Sequence, residues 1–417
     1  MPMCKKINHL SYYKNIKKVI IKLMNIVVIG VGYVGLVTGL SLVKLGNKIT
    51  FLDTDLSKIQ MLNQKKPTFD EPELLDYLTN DKTAENATFC HSYDDIRWND
   101  ADIVLICVQT PVDENGELDS NFIKRVFSSL NGKVANNTTV CIKSTIHPSA
   151  LQKVLNEINY NFEDLVFNPE FLREGSAFYD FFNTDRIIIG SENLEKSQII
   201  ANLYEELESE IIFTDPISSQ LIKYLSNAYL PLRLSFVNEA SRLIDSLSAN
   251  QSDVLKGVGL DSRIGDQYFR PSPGWGGSCF PKDVMEIQQI ANENNLDLPV
   301  IQSISHSNSE HLLWFSKKLI EIMNINNLQK IILLGAAFKE NTDDTRYSPT
   351  FEIYNILKKE KENVEIYDEN MTLDNKYDQI FSFEENALYV EMYPMGNKVK
   401  NQIVELNDIV YFRFWDS

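Results

Sequence analysis

An α/β protein built from two doubly wound domains, joined by one long central helix, is what this 417-residue sequence predicts. Near the start, a strand, a glycine-rich turn, a helix, a second strand and an acid follow one another. Beyond them, short apolar runs alternate with helical stretches, the pattern of a mainly parallel sheet covered on both faces. A long amphipathic segment then separates this unit from a second strand opening at Lys330. The spacing divides the chain into an extension (1–23), an N-terminal unit (24–215), a helical centre (216–320) and a C-terminal unit (321–417).

The extension carries Lys5, Lys6, Lys14, Lys17, Lys18 and Lys22 and no acid. Val19-Ile20-Ile21 is too short for the apolar core of a signal peptide. Met24 would make a natural start, so residues 1–23 are expected to be dispensable.

Met24-Asn25-Ile26-Val27-Val28-Ile29 reads as a short apolar strand. It runs into Gly30-Val31-Gly32-Tyr33-Val34-Gly35, a G-x-G-x-x-G turn. A helix through Leu36, Leu40, Leu42, Val43 and Leu45 follows, stopped by Gly46. Lys48–Leu52 is the next strand, and Asp53 ends it. In that order the motif has a physical meaning: Gly30 allows the tight turn, Gly32 lets a pyrophosphate approach, and Gly35 lets helix pack on strand. The free N–H groups of the helix start face the phosphates. An acid 18 residues past Gly35 suits the two ribose hydroxyls and repels a 2′-phosphate, so the expected cofactor is NAD. The first unit is thus Rossmann-like.

Further strands are expected at Ile103–Val108, Thr139–Ile142, Leu165–Phe167 and Arg186–Ile189. Ligands bind beyond the carboxyl ends of such strands, and Thr110, Thr145 and Glu170 stand there. From Ser218 to Ser246, Leu221, Tyr224, Leu225, Leu232, Phe236, Val237, Ala240 and Leu243 recur at helical spacing. Pro231 should kink or break this helix, which is either a connector with a dimer surface or a core helix. Lys330–Gly335 and Val364–Asp368 open a second Rossmann-like unit. The last forty residues give no readable pattern.

Composition is that of a globular protein, with 43% apolar and 24% charged residues. A formal net charge of −18 disfavours nucleic acid or an anionic membrane as partner. An anionic substrate would therefore need a local basic pocket. No apolar run is long enough to span a bilayer. Cys4, Cys90, Cys107, Cys141 and Cys279 are scattered, which suits a reducing cytoplasm and predicts no metal site.

Gly274-Trp275-Gly276-Gly277-Ser278-Cys279-Phe280-Pro281-Lys282-Asp283 holds one cysteine in a glycine-rich loop. A thiolate is a good nucleophile, and nearby cations and helix N-termini lower its pKa. Such a cysteine can hold an acyl or hemiacetal intermediate. A buried free thiol beside a turn is the plainer alternative.

These segments together resemble the UDP-glucose/GDP-mannose dehydrogenase family over roughly residues 24–370. The ordered motifs are Gly30–Gly35, Lys143-Ser144-Thr145-Ile146, Asn168-Pro169-Glu170-Phe171-Leu172-Arg173-Glu174-Gly175, Lys223-Tyr224-Leu225-Ser226-Asn227, Arg263-Ile264-Gly265, the Cys279 loop and Gly335–Arg346. The resemblance implies an N-terminal NAD domain, a central dimer-forming helix and a C-terminal nucleotide-sugar domain. It implies a primary alcohol oxidised to a carboxylate in two NAD-dependent steps, with the aldehyde held as a thiohemiacetal and then a thioester on Cys279. UDP-glucose is the implied substrate, a homodimer the implied assembly, and supply of polysaccharide precursors the implied use.

The resemblance assigns roles by position. Cys279 is the nucleophile, and Asp283 the acid/base working with a water. Lys223 stabilises the oxyanion, with Asn227 on the same helix face. Glu174 activates the hydrolytic water, and Thr145 orients a water beside the nicotinamide. Substrate contacts fall on Glu170, Phe171, Leu172, Arg173, Glu174, Lys223, Asn227, Tyr268, Gly276 and Lys339. Arg263 would reach a neighbouring subunit's site. NAD contacts fall on Gly30, Gly32, Tyr33, Val34, Gly35, Asp53, Lys58, Thr110, Thr145, Glu174, Lys282 and Arg346. Taken singly, Lys223 and Asn227 could be a solvated helix face, Glu170 and Glu174 helix-start charges, and Thr145 an N-cap.

The chain departs from the family pattern at Gln109, where a small residue is usual before Thr110-Pro111, and from about Met371 onward. Ser278 and Trp275 occupy variable positions. GDP-mannose and UDP-N-acetylmannosamine dehydrogenases remain near alternatives. A two-electron hydroxyacid dehydrogenase would leave Cys279 idle, and a non-catalytic nucleotide-sugar sensor would show no turnover.

Overall fold

The computed structural model describes residues 23–111, 119–380, 382–395, 397–406 and 408–416. All of the 1–23 extension except Leu23 lies outside the described residues. The first unit is an eight-stranded sheet of β1 (Asn25–Ile29), β2 (Lys48–Leu52), β3 (Ala87–Cys90), β4 (Ile103–Ile106), β5 (Thr139–Ile142), β6 (Leu165–Phe167), β7 (Arg186–Gly190) and β8 (Glu210–Thr214). Their spatial order is β3-β2-β1-β4-β5-β6-β7-β8. All neighbours run parallel except β6 and β7, which meet antiparallel at Phe167 and Gly190. Residues of β1 explain why its sequence is apolar without alternation. Ile26 and Val28 enter the core on one face, Val27 and Ile29 the core on the other. A central parallel strand is buried on both faces.

The expected central helix is present as Pro216–Ser246, one unbroken assignment capped by Asp215, whose side chain accepts from the Ser218 N–H. Pro231 lies buried inside it without ending it. Proline has no N–H, so the Asn227 carbonyl, four residues earlier, loses its helical partner there. Two further helices, Phe280–Glu293 and Pro299–Ile325, pack on the central one. A boundary at 320/321 falls inside the second of these.

The second unit is a five-stranded parallel sheet of β9 (Lys330–Leu334), β10 (Val364–Tyr367), β11 (Gln379–Ile380), β12 (Ala387–Glu391) and β13 (Ile409–Phe412), in the order β11-β10-β9-β12-β13. Strands β11 to β13 come from the forty residues that gave no pattern. In β12 every residue is buried, so its apolar run was a usable signal. Two Rossmann-like doubly wound domains joined through a long central helix are therefore the architecture. Among the described residues, no helix is long and apolar enough to cross a membrane.

Candidate active site

The glycine turn has the geometry that its three positions require. Gly30 adopts φ +94°, and a Cβ there would stand 2.7 Å from the Cys107 carbonyl oxygen. At Gly35 a Cβ would fall 1.9 Å from the Gly30 oxygen, so only glycine lets the helix Tyr33–Lys44 sit this close. Gly32 is the opposite case: a Cβ would meet nothing within 4 Å. It is also the N-cap of that helix, with no side chain capping it. Space and an uncapped helix start therefore coincide where a pyrophosphate would lie. Asp53, at the end of β2, accepts from the Val31 N–H through Oδ2 and the Asp55 N–H through Oδ1.

The cleft beside this turn is lined by Gly32, Tyr33, Lys58, Glu174 and Arg346, all expected from sequence. Thr68, Phe69, Asp70 and Asp343 line it too and were not anticipated. The residues present fit a dinucleotide: a turn open at Gly32, an acid at the ribose position and two cations.

Across the sheet edge, Thr110 Oγ1 donates to the Thr145 carbonyl at 2.7 Å, joining the ends of β4 and β5. Thr145 does not cap a helix, because the following helix takes His147 as its N-cap. Lys143 is fully packed between these strands, its ammonium on the Asn168 side chain at 3.1 Å and the Tyr204 hydroxyl at 3.3 Å.

The central helix delivers Lys223 and Asn227 inward. Lys223 is only 3% exposed and Asn227 is also buried, which excludes a solvated face. Lys223 Nζ pairs with Glu170 Oε1 at 2.9 Å, and Glu170 Oε2 accepts from the Leu172 N–H at 2.6 Å. Glu170 is thus tied to the site, not to a helix start. Asn227 Nδ2 donates to Asp283 Oδ2 at 2.6 Å. Asp283, 1% exposed, is also met by Lys282 at 2.6 Å on Oδ1. Lys282 reaches Glu286 as well, at 3.4 Å, so its charge is turned toward these two acids.

Cys279 is the N-cap of the helix Phe280–Glu293, and the Asp283 N–H donates to its carbonyl at 2.9 Å. The thiol is open to solvent yet hemmed in by protein. Its pKa is pushed up to about 11, first by loss of water around it, with Asp283 and Glu170 adding to the effect and Lys223 opposing it. This reverses the lowering expected from cations and a helix start: burial and two carboxylates outweigh one ammonium.

Glu174 enters from the opposite side. Its carboxylate accepts from Thr342 Oγ1 at 3.2 Å and Ser278 Oγ at 3.5 Å, and Ser278 Oγ lies 3.6 Å from Cys279 Sγ. Burial raises its pKa to about 7, Asp344 adds, and Arg346, Lys339 and Thr342 hold it down. Arg346 forks onto Asp344 and stands 3.9 Å from Glu174. Gly276 and Gly277 close the wall. A Cβ at Gly276 would lie 1.9 Å from the Tyr347 oxygen, and the Gly277 N–H donates to the Arg346 carbonyl.

The remaining expected contacts fall nearby, with one exception. Arg173 forks onto Asp180, and Phe171 packs its ring against Arg186 and Lys223. Tyr268, at φ +54°, shares the electrostatic surroundings of Arg173, Asp180 and Lys223. Lys339 makes no ion pair among the described residues, and burial lowers its pKa. Arg263 is the exception, exposed at the surface and forked onto Asp261. The local basic pocket demanded by the net charge is therefore a set of cations mostly paired with acids, with Lys339 left over.

Known proteins agree with this assembly. Residues 24–208 match the NAD binding domain of the UDP-glucose/GDP-mannose dehydrogenase family, residues 217–310 its central domain and residues 332–399 its UDP binding domain. The chain is 35% identical over 375 residues to a UDP-glucose 6-dehydrogenase of Rickettsia bellii (strain RML369-C), covering 88% of this chain and 85% of that one. It is 35% identical over 351 residues to UDP-glucose 6-dehydrogenase TuaD of Bacillus subtilis (strain 168), covering 82% and 75%. Among solved structures, a UDP-glucose dehydrogenase from the hyperthermophilic archaeon Pyrobaculum islandicum superposes with a TM-score of 0.83 at 25% identity, over 94% of this chain and 95% of that one. A UDP-D-ManNAc dehydrogenase from Pyrococcus horikoshii shares the fold, with a TM-score of 0.80 at 22% identity over 94% and 95%. Matched across all three of its domains and 35% identical to curated members over most of its length, the chain belongs to the UDP-glucose/GDP-mannose dehydrogenase family of NAD-dependent oxidoreductases.

Proposed function

We propose that this enzyme oxidises UDP-glucose to UDP-glucuronate in two successive steps, with Cys279 holding the half-oxidised carbon. One observation carries the reading. Cys279 stands between two chemically different groups: Lys223 and the Asn227–Asp283 pair on one side, and Glu174, reached through Ser278, on the other. A two-electron dehydrogenase has no use for such a thiol.

NAD would be held along the turn of Gly30, Gly32 and Gly35 and would supply the hydride acceptor for each oxidation. Asp283, held by Asn227 and Lys282, is the acceptor for the proton of the C6 hydroxyl, through a water. The Lys223 ammonium is the donor toward the oxygen that gains charge. With its pKa near 11, Cys279 rests as a thiol; as sulfur bonds to the aldehyde carbon, its proton passes to the aldehyde oxygen, which becomes the thiohemiacetal hydroxyl beside Lys223. Thr145 orients water at the same carbon. Covalent capture keeps the aldehyde from escaping and divides a hard oxidation into accessible steps. Glu174, with a pKa near neutrality, then suits removal of a proton from the water that cleaves the thioester.

The names of the relatives at 35% identity support UDP-glucose as the sugar nucleotide. Lys339 is the cation suited to its pyrophosphate. Leu225, Tyr229, Phe236 and Leu243 form an exposed apolar face on the central helix. A second copy of the chain covers it in a homodimer, which would also bring Arg263 to the neighbouring site.

The test is a panel of UDP-glucose, GDP-mannose and UDP-N-acetylmannosamine with NAD, with products identified by NMR. UDP-glucose should give UDP-glucuronate with a kcat/KM at least a hundredfold above the others. Preference for another sugar nucleotide would overturn the substrate assignment. NADH formation without carboxylate would overturn the four-electron reading.

A further inference from the structure

Glu71 takes no part in the chemistry above, yet it is only 6% exposed and both its oxygens are engaged at a distance of over a hundred residues. Oε2 accepts from the Gly175 N–H at 2.7 Å and Oε1 from the Ala177 N–H at 2.8 Å. A carboxylate is acceptor-only, so it can satisfy two amides at once. The turn it grips has little freedom elsewhere. Gly175 adopts φ +81°, and a Cβ there would stand 2.8 Å from the Asn341 oxygen of the C-terminal unit. Glu71 holds the turn from one side, and Asn341 closes on it from the other.

That turn carries Glu174, the residue immediately before Gly175. Its carboxylate meets Thr342 and Ser278 only at 3.2 and 3.5 Å, so its aim depends on its backbone. Glu71 is also continuous with Thr68, Phe69 and Asp70, which line the dinucleotide cleft together with Glu174.

We propose that Glu71 is a positioning residue for thioester hydrolysis. By clamping the Gly175 and Ala177 amides it fixes the turn that presents Glu174 and ties that turn to the loop lining the dinucleotide cleft. The inference rests on the reading of Glu174 as the base. In the step concerned, the water oxygen bonds to the thioester carbonyl carbon while Glu174 takes a water proton. The carbon–sulfur bond then breaks with its electron pair going to Cys279 Sγ, which takes the second water proton to restore the thiol, and the product leaves as a carboxylate. No electrons are exchanged with a cofactor, so misplacing Glu174 slows this step and spares the two oxidations.

Glu71→Gln tests it. An amide can accept on one side only, and its NH2 would face a backbone N–H. With NAD and UDP-glucose, the variant should release a burst of two NADH per site and then turn over on the order of tenfold to a hundredfold more slowly. Intact-protein mass spectrometry should show the uronyl adduct on Cys279. Glu174→Gln, run in parallel, should accumulate the same adduct. Burst and hydrolysis slowed alike with no adduct would overturn the proposal, by making Glu71 merely structural. Wild-type hydrolysis in Glu71→Gln beside a stalled Glu174→Gln would overturn it while leaving Glu174 its role. Absence of adduct in Glu174→Gln would remove the base assignment, and the Glu71 inference with it. Should Glu71→Gln fail to fold, Glu71→Asp keeps two acceptor oxygens one methylene short. A smaller, adduct-accumulating slowing supports the clamp, and a uniform slowing or none overturns it.

Discussion

Glu174 shows how far a side chain's chemistry depends on where the fold puts it. In water a glutamate is ionised well below neutrality. Here burial and Asp344 raise its pKa to about 7, against the pull of Arg346, Lys339 and Thr342. A base must be unprotonated to take a proton from water. The hydrolysis-limited rate should therefore rise with pH through about 7 and level off above it, and Glu174→Gln should lose this limb with a 10²- to 10⁴-fold drop. A pH–kcat profile checks this, and an unchanged limb in the variant would contradict it. Residues of this kind were legible as motifs: Cys279, Lys223, Asn227 and Glu174 each stand in a recognisable string. Their partners were not. Glu71, Thr342 and Asp344 come from distant segments, and only tertiary structure brings them in. The pKa of Cys279 could not be read either, because its shift is set by burial and by neighbours from three parts of the chain.

Among elements, the glycine turn was the most legible, since each glycine answers a local steric demand. Gly35→Ala would place a methyl 1.9 Å from the Gly30 oxygen and should cost on the order of 3 kcal/mol of stability. Gly32→Ala meets only open space, so thermal stability should hardly change while NAD affinity falls at least tenfold. Paired melting curves and NAD titrations check both, and equal effects of the two variants on stability would contradict the division of labour. The central helix was half legible. Its apolar residues were found, but one period cannot say which face is core: Tyr224 and Val237 are buried, while Leu225, Phe236 and Leu243 are exposed. Strands β3 and β8 and the three strands of the last forty residues were missed. The edge strands β3 and β8 have only partial burial patterns, whereas β12, buried at every residue, did carry a usable apolar run.

At the scale of the whole molecule, the candidate site exists only because three units meet. The first sheet supplies Glu174 and the glycine turn, the central helices supply Lys223, Asn227, Cys279 and Asp283, and the second unit supplies Thr342 and Arg346. The central helix also presents Phe236, 60% exposed, on its outer face with Leu243 two turns on. Burying each such side chain is worth roughly 1.5–3 kcal/mol, so the pair should matter to assembly and little to the fold of one subunit. Light scattering after gel filtration should find a dimer for the native chain and a folded monomer for the Phe236→Asp, Leu243→Asp double variant. A native monomer would contradict the dimer.

The central claim is that one cysteine links two oxidations in one site, and it is tested most directly by counting NADH formed per UDP-glucose consumed, for the native enzyme beside Cys279→Ala. The native enzyme should give two, and the variant no more than one, stalling at the aldehyde. One NADH from the native enzyme, or two from Cys279→Ala, would contradict it.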